Sequence, residues 1–551
     1  MLVEHFALGA VALSDSGQHE RHSMIGIAKT ACDEGTTRAA GTTSGCTDRA
    51  KPWVLATTIL GSSLAFIDSS VVSIALPAMQ ADLQTSLGAA QWIANAYMLM
   101  LGALILAGGA AGDRYGRRRV FTLGIVIFTI ASIACALAPN AFALIAARTI
   151  QGIGGALMVP GSLAIISAAF PEAERGRAIG TWAGFSALTT ALGPVLGGWL
   201  VDLWSWRVIF FVNVPIAAVT LALALRHVPE SRDETNNAAV DWRGALLATA
   251  GLGALTYGLT TASELGWSAP LVAGSMIAGA LLLAAFLFSE AHAAAPMMPL
   301  ALFKSRSFSG ANTMTFLLYF SLGGALFFVP FNLIDVQGYS ATNAGAAFLP
   351  FTLIMGGLSR WSGALIDRYG ARVPLTIGPI VVALGLALFA IPGSRSDSYW
   401  TAFFPAMTVL GLGMAVSVAP LTTTVMRAVE RHRAGVASGI NNAVSRIAGM
   451  LAVALLGAIA VSTFGAALDE RLAELRVPSE LRRAVHEEAP KLAEAQVPRQ
   501  APAADRQMLT RVLHESFIHS FRVVMLIAAA LALLSALCAW LTIDPLASSQ
   551  P

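Results

Sequence analysis

Long apolar runs alternate with short polar loops along the chain from residue 53 onward. Each run is close to the roughly 20 residues that an α-helix needs to cross the hydrocarbon of a bilayer. The pattern therefore predicts an all-α polytopic membrane protein with fourteen transmembrane helices. The predicted spans are residues 53–77, 91–111, 120–138, 142–168, 178–201, 207–226, 242–261, 271–289, 310–334, 342–366, 373–392, 400–426, 435–463 and 518–542.

Two segments fall outside this pattern. Residues 1–50 are rich in Gly, Ser, Thr and Ala, which predicts a disordered tail. This tail is either a non-structural extension or the product of a start codon placed too early, with Met24 as one candidate start. The connection 464–517 carries mixed charges, which predicts amphipathic helical turns on the outer face of the membrane. It is interpreted either as a long solvated loop or as a small folded accessory segment.

Composition agrees with a membrane protein. Of the 551 residues, 56% are hydrophobic and 12% are charged, against about 25% charged in an average soluble domain. The 35 basic and 32 acidic residues leave a net charge of +3, which is too balanced to indicate nucleic-acid binding. The four cysteines lack metal-ligand spacing, so we expect no metal site and no disulfide framework.

The sequence also argues against an ATP-driven pump and against an enzyme. None of the four lysines follows a glycine, as the lysine of a P-loop does, so we do not expect an ATP-driven pump. No nucleophile or cofactor motif is evident, so we expect neither an enzyme nor a cofactor. A transporter with this sequence would have to draw on an ion gradient or on a partner.

Arginines cluster in alternate loops between the predicted helices. The first, third, seventh and ninth loops carry almost no Lys or Arg. The positive-inside rule therefore places the even-numbered loops and both termini in the cytoplasm, in a multi-pass protein of the plasma or inner membrane. The arginines of the even-numbered loops are Arg114, Arg117, Arg118, Arg119, Arg175, Arg177, Arg368, Arg372, Arg431 and Arg433.

One tetrapeptide, Asp-Arg-Tyr-Gly, occurs twice. It stands at residues 113–116 and again 254 residues later at 367–370, after the second and tenth predicted helices. A helix-capping turn would explain a single occurrence, but equivalent places in two sets of six helices favour a duplicated half. We therefore expect two six-helix halves, 53–226 and 310–542, joined by two linker helices within 242–289. Duplicated halves suit alternating access to a central cavity.

Four motifs carry a resemblance to a known family. They are the loop motif Gly109–Arg118, the first-helix motif Asp68–Pro77, the fourth-helix motif Leu144–Gly154 and the fifth-helix motif Thr189–Gly198. Together they resemble the major facilitator superfamily, specifically its fourteen-helix drug/proton antiporter branch of the EmrB/QacA type. The resemblance implies the major facilitator fold with its fourteen helices arranged as six, two and six.

Two positions depart from the branch. Ser73 replaces the usual Asn of the first-helix motif, which removes an amide from it, and Thr189 replaces the leading Gly of the fifth-helix motif. The Gly-Pro and Gly-Gly pairs of the latter are intact. In the family this motif separates exporters from uptake symporters, so the resemblance implies export.

The resemblance also implies a cytoplasmic latch made by the duplicated loop. In the family, this loop forms a charge relay with neighbouring helices. The carboxylate of Asp113 can pair with arginines in one conformation and lose them in another. The predicted latch residues are Gly109, Asp113, Arg114, Gly116, Arg117, Arg118, Asp367 and Arg368.

Asp68, Arg148 and Gln151 are the strongest candidates for coupling transport to protons. Asp68 follows Trp53 by 15 residues, which at 1.5 Å per residue places it about 22 Å into the membrane. An ionised carboxylate is costly there, so protonation near physiological pH becomes accessible. Arg148 stays charged and needs a partner inside the bundle, and Gln151 lies one turn away. The alternatives are a carboxylate permanently satisfied by Ser and Thr neighbours, and an Arg148 that acts as a structural clamp.

A face of small residues on the fifth helix is predicted to act as the antiporter hinge. Gly193, Pro194, Gly197 and Gly198 allow close helix approach, and the proline frees a backbone carbonyl. The alternative is ordinary close packing without gating. Three further charges in or near second-half helices stay open to a structural interpretation, namely Asp335, Arg360 and Arg446.

The leading functional prediction is a proton-coupled multidrug efflux transporter, a drug:H+ antiporter that exports hydrophobic or cationic compounds by alternating access. Its expected partners are a small drug-like molecule, protons and the lipid bilayer, without nucleic acid. Family analogy alone adds a membrane-fusion partner. An exporter of one physiological metabolite would keep every motif, and a non-transporting receptor or scaffold is the third alternative.

Overall fold

The computed structural model describes residues 50–232, 240–362, 365–391, 398–430, 433–475, 477–498 and 501–544. Residues 1–49 of the predicted tail lie outside this described part. All regular elements within it are helices. The first six long helices are α1 (Lys51–Leu83), α2 (Leu87–Tyr115), α3 (Arg117–Ala136), α4 (Ala141–Ala169), α5 (Glu172–Leu203) and α6 (Val208–His227).

Two helices and then a second set of six follow along the chain. The pair consists of α7 (Trp242–Leu265) and α8 (Pro270–His292). The first helix of this second set continues into one turn of π-helix, Asn332–Val336. The second set is α9 (Arg306–Phe331), α10 (Ala341–Leu358), α11 (Arg372–Leu388), α12 (Phe404–Arg427), α13 (Ala434–Glu474) and α14 (Ala503–Thr542).

The helix count agrees with the predicted count to within one. Thirteen helices of the described part are long and apolar enough to cross a membrane. The remaining one, α11, is apolar but only 17 residues long. The all-helical, polytopic fold predicted from the apolar runs is thus confirmed.

Helices α13 and α14 extend beyond their predicted spans, so the connection between them is reduced from the predicted 464–517 to residues 475–502. Within it, Ser479–His486 is α-helical and Ala489–Glu494 forms a 3-10 helix. Val485 and Leu492 from these turns are buried in the main hydrophobic core. The polar segment is therefore anchored to the bundle by apolar side chains on one of its faces.

Glycine at positive φ makes the turn after the repeated Asp-Arg-Tyr in both halves. Gly116 has a φ of 110° and separates α2 from α3, and Gly370 has a φ of 73° before α11. This backbone region is costly for residues with a Cβ atom. In both copies of the tetrapeptide the glycine thus adopts a backbone conformation at positive φ.

The six-helix sets touch each other along two seams, α2 against α13 and α5 against α10. On the α5–α10 seam, a Cβ atom at Gly198 would overlap the carbonyl group of Ala341, and one at Gly345 would overlap that of Pro194. The backbones are therefore in direct contact at this end of the seam, which is the end away from the arginine-rich loops.

The same seam is open at its other end. Gly180 precedes Gly198 by 18 residues, which is five helical turns, so both glycines lie on one face of α5. Gly356 follows Gly345 by eleven residues, about three turns, on one face of α10. A Cβ atom at Gly180 or Gly356 would meet no atom within 4 Å. The two helices thus separate toward the arginine-rich loops.

Candidate functional site

A buried ion pair links α1 to α4 near the middle of the first six-helix set. The guanidinium NH1 of Arg148 donates to Asp68 Oδ2 at 2.5 Å. The exposed fractions of the two residues are 3% for Asp68 and 1% for Arg148. A charge in such a place is tolerated only with a close countercharge, so each side chain depends on the other.

Gln151 closes a ring with this pair. Its Nε2 donates to Asp68 Oδ1 at 2.8 Å, and its Oε1 accepts from Arg148 NH1 at 2.7 Å. Arg148 also donates from Nε to the carbonyl of Ile93 on α2, at 3.1 Å. The structure therefore brings together the three side chains that the sequence selected as coupling candidates.

Two further polar side chains complete the cluster, and sequence reasoning did not assign them to it. Asn213 on α6 donates from Nδ2 to Asp68 Oδ1 at 3.2 Å and to Ser132 Oγ at 2.9 Å. Ser132 on α3 in turn donates to the carbonyl of Phe210 at 2.9 Å. An Asn inside an apolar run was the available signal, but no periodicity tells which acceptor such a residue reaches.

Aromatic rings cover the guanidinium of Arg148. The ring of Tyr97 lies 4.3 Å from its Cζ atom and that of Phe210 lies 5.9 Å away. Tyr97 is fully buried, and its hydroxyl donates to the carbonyl of Ala65 at 3.4 Å. Cation–π contacts of this kind are strongest where water is excluded. In this conformation the cluster is shielded from solvent, so proton exchange at Asp68 requires a rearrangement.

The predicted latch residues of the first half form two separate polar contacts. Asp113 Oδ1 accepts from Arg117 Nε at 2.8 Å, one turn further along the chain. Arg118 donates from its backbone nitrogen to Glu230 Oε1 at 3.1 Å and from NH1 to the carbonyl of Val228 at 3.2 Å. Glu230, beyond α6, was missed because nothing in its local sequence points to α3.

The remaining latch residues are placed as follows. The guanidinium carbons of Arg114 and Arg368 lie 5.5 and 5.3 Å from the rings of Tyr115 and Tyr369, so the two copies of the repeat share this contact. A Cβ atom at Gly109 would approach Pro160 to 3.6 Å. The side chains of Asp367 and Arg360 lie outside the described part of the structure.

The small-residue face of α5 contacts two different helices. A Cβ atom at Gly193 would overlap the side chain of Ser70, and one at Gly197 would lie 2.9 Å from Val71 Cγ1, both on α1. Gly198 instead faces α10 at the closed end of the seam. Close approach on two sides explains why this stretch carries glycine at all three positions.

Asp202, which was not predicted, links α5 to α10 by hydrogen bonds at the closed end of their seam. Its Oδ1 accepts from the backbone nitrogen of Ala341 at 3.1 Å, and its Oδ2 accepts from that of Thr342 at 2.7 Å. The Thr342 hydroxyl donates to Oδ2 at 2.5 Å. A carboxylate of α5 thus caps the N-terminus of α10, where free N–H groups and the helix dipole favour negative charge.

A helical bundle with two opposed sets of helices and a buried, shielded ion pair is the architecture of a membrane transporter. Residues 58–453 match the Major Facilitator Superfamily, and the chain belongs to this family. The family and the fold inferred from the four motifs are thereby confirmed.

Two relatives align over most of this chain. The Multidrug resistance protein Stp of Mycobacterium tuberculosis is 34% identical over 505 residues, which cover 90% of this chain and 92% of Stp. The tetracenomycin C resistance and export protein of Streptomyces glaucescens is 33% identical over 501 residues, again 90% of this chain and 92% of the relative.

A solved structure has the same fold. It is that of a bacterial homologue of the human lysosomal transporter Spinster, in an inward-facing and occupied conformation. The TM-score is 0.62 at 16% sequence identity, over 92% of this chain and 100% of that chain. At that identity the likeness concerns the fold alone.

Proposed function

We propose that this protein is a proton-coupled antiporter that exports drug-like compounds across the plasma or inner membrane. The observation that carries the proposal is the buried contact of 2.5 Å between Asp68 and Arg148. Asp68 can take up a proton, whereas Arg148 stays charged. The names of Stp and of the tetracenomycin C exporter support a drug-like substrate.

Protonation of Asp68 is the proposed coupling step. In the described conformation Asp68 accepts hydrogen bonds from Arg148, Gln151 and Asn213. A proton on Asp68 removes the ion pair and leaves Arg148 without its countercharge. The conformation in which Arg148 is buried is then destabilised relative to one in which water reaches Arg148. Uptake and release of one proton therefore shift the equilibrium between the two conformations.

The geometry of the seams supports alternating access by two six-helix halves, 53–226 and 310–542, joined by linker helices within 242–289. If the arginine-rich loops are cytoplasmic, with both termini on the same side, the described conformation admits substrate from the cytoplasm. We assign the hinge to the face of Gly193, Pro194, Gly197 and Gly198, because these residues allow α5 to change its distance from α1 and α10.

The duplicated loop is the proposed cytoplasmic latch. In the described conformation Asp113 pairs with Arg117 inside the first half, and Arg118 pairs with Glu230, four residues beyond the end of that half. Closure of the cytoplasmic side would bring the loop toward the second half, where Arg368 occupies the equivalent position. Exchange of carboxylate partners would then favour one conformation over the other.

A proton gradient provides enough energy for this cycle. One proton moving down 100 mV releases about 2.3 kcal/mol. Since about 1.4 kcal/mol corresponds to a factor of ten, one proton can support a substrate ratio on the order of 50.

Dye efflux from cells tests the proposal. We expect Asp68→Asn to abolish efflux to the level that a protonophore produces in the wild type. The matched control is Asp82→Asn on the same helix, since Asp82 pairs with Arg207 at 2.7 Å at the membrane boundary with both side chains partly exposed. Proton coupling through Asp68 would be refuted if the protonophore left wild-type dye efflux unchanged, or if the Asp68→Asn variant exported dye at the wild-type rate.

A further inference from the structure

Arg446 lies on α13 and points toward the space between the two six-helix sets. It is 12 residues from the first residue of the helix, Ala434, about 18 Å along the axis. That depth is about half of the 30 Å hydrocarbon core. A Cβ atom at Gly102 of α2 would lie 3.4 Å from Arg446 Cβ, so the side chain leaves α13 at the seam between the halves.

Among the residues that the structure describes, none supplies a countercharge to the guanidinium. Arg446 donates from Nε to Asn442 Oδ1 at 2.8 Å, one turn nearer the arginine-rich end. No carboxylate of a described residue lies within 4.0 Å of it. The carboxylate of Asp68 is already engaged by Arg148. An uncompensated charge at this depth is costly, so the site favours water or an anion.

The polar side chains that precede Arg446 on α13, Asn441, Asn442 and Ser445, are neutral. Five residues before Arg446, and about 140° around α13 from it, Asn441 donates from Nδ2 to Thr315 Oγ1 at 2.7 Å and to Asn312 Oδ1 at 3.3 Å, both on α9. The Asn442 side chain is exposed, while Arg446 is only partly buried. Both side chains thus keep exposed surface, and the local charge there is positive.

We propose that Arg446 binds the acidic group of an amphipathic organic acid in the central cavity. Asn442 accepts a hydrogen bond from Nε of Arg446. The two terminal nitrogens of the guanidinium are therefore available to form a bidentate pair with a carboxylate. The substrates would therefore include carboxylic acids with an apolar body, beyond hydrophobic and cationic compounds. This inference rests on the proposed function, because it assumes that the cavity is a substrate site.

Binding of a matched acid and ester tests the proposal without a proton gradient. The probes are the fluorescent acid 1-pyrenebutyrate and its neutral methyl ester, titrated against the full-length protein in detergent. We expect the wild type to prefer the acid, and Arg446→Gln to bind the acid about 10- to 100-fold more weakly while the ester changes less than about twofold, since a hydrogen bond to a charged group has that value.

Two variants separate charge from folding. Arg446→Lys keeps the positive charge and should keep part of the preference for the acid even if Arg446→Gln does not fold. Arg471→Gln removes another arginine of α13, whose Nε lies 3.8 Å from Glu515 Oε2. This variant should leave the affinities for the acid and for the ester unchanged. Three results would overturn the assignment. They are equal affinity of the wild type for ester and acid, an equal loss of affinity for both probes in Arg446→Gln, and a folded Arg446→Lys variant that does not prefer the acid.

The outcome also distinguishes this inference from the proposed function. A protein that binds the acid through Arg446 but shows no protonophore-sensitive efflux of any dye would contradict the antiporter and leave the anion site. A protein with such efflux but without acid preference would contradict only the anion site.

Discussion

Removal of the carboxylate at position 68 should destabilise the protein far more than removal of a similar carboxylate at the membrane boundary. Asp68→Asn preserves the shape of the side chain but takes away its charge. One of the two carboxylate oxygens becomes an amide nitrogen, which would face a donor of Arg148, Gln151 or Asn213. Arg148, only 1% exposed, loses its countercharge.

The magnitude follows from burial. Breaking a buried ion pair by removing one partner costs about 3–5 kcal/mol. The pair between Asp82 and Arg207 has side chains that are 49% and 35% exposed, and exposed pairs contribute about 0–1 kcal/mol. We therefore expect Asp68→Asn to cost at least about 2 kcal/mol more than Asp82→Asn.

Unfolding of the two variants in the same detergent measures this difference. The double variant Asp68→Asn, Arg148→Gln removes both charges and should recover most of the stability that Asp68→Asn loses, because no uncompensated charge remains. Equal unfolding midpoints for Asp68→Asn and Asp82→Asn, or a double variant that is less stable than either single variant, would refute the interpretation that the buried charges depend on each other.

Three further changes test the α5–α10 seam and the connection between α13 and α14. Asp202→Ala should weaken the capped end of α10 by about 0.5–2 kcal/mol and increase labelling of a cysteine placed at the closed end of the seam; unchanged labelling would contradict it. Gly198→Ala should also open that end, because its Cβ atom overlaps the carbonyl of Ala341, whereas Gly180→Ala meets no atom within 4 Å and should not; equal labelling of the two variants would rule out the close contact. Burial raises the pKa of the Glu494 carboxyl, with Lys491 opposing the shift, so its contribution to stability is complete below the pKa of an unfolded glutamate, about 4.3, and is lost as pH rises through the higher folded value. Glu494→Gln should remove that part of the pH dependence of the unfolding midpoint, and an unchanged profile would exclude Glu494 as its source.

Much of the fold could be predicted because membrane insertion depends on local properties of the chain. Apolar length alone separates spans from loops, so each predicted span has a helix in the structure. The ends were less predictable. Helices α13 and α14 continue outside the predicted spans, to Glu474 and from Ala503, because charged residues can extend a helix into water without changing the apolar pattern.

The site was predictable only where a charge stands in an apolar run. Asp68 and Arg148 are conspicuous there because burial of either charge alone is so costly that a partner is needed. The neutral partners Asn213 and Ser132 were not assigned, since neutral polar residues are common in membrane helices and their spacing does not reveal a distant acceptor.

The amino-acid pattern alone was enough to predict a helical membrane protein with a repeated loop motif, to single out Asp68 and Arg148 as charges in apolar runs, and to identify the basic loops. Each of these follows from hydropathy, charge and repetition along one dimension. The packing of the helices was needed to establish that Asp68 pairs with Arg148 and that Asp202 caps α10. It also showed that Arg446 lacks a carboxylate neighbour among the described residues and that the α5–α10 seam is closed at one end. Those facts depend on how helices distant in sequence pack side by side, and the same apolar pattern is compatible with many packings.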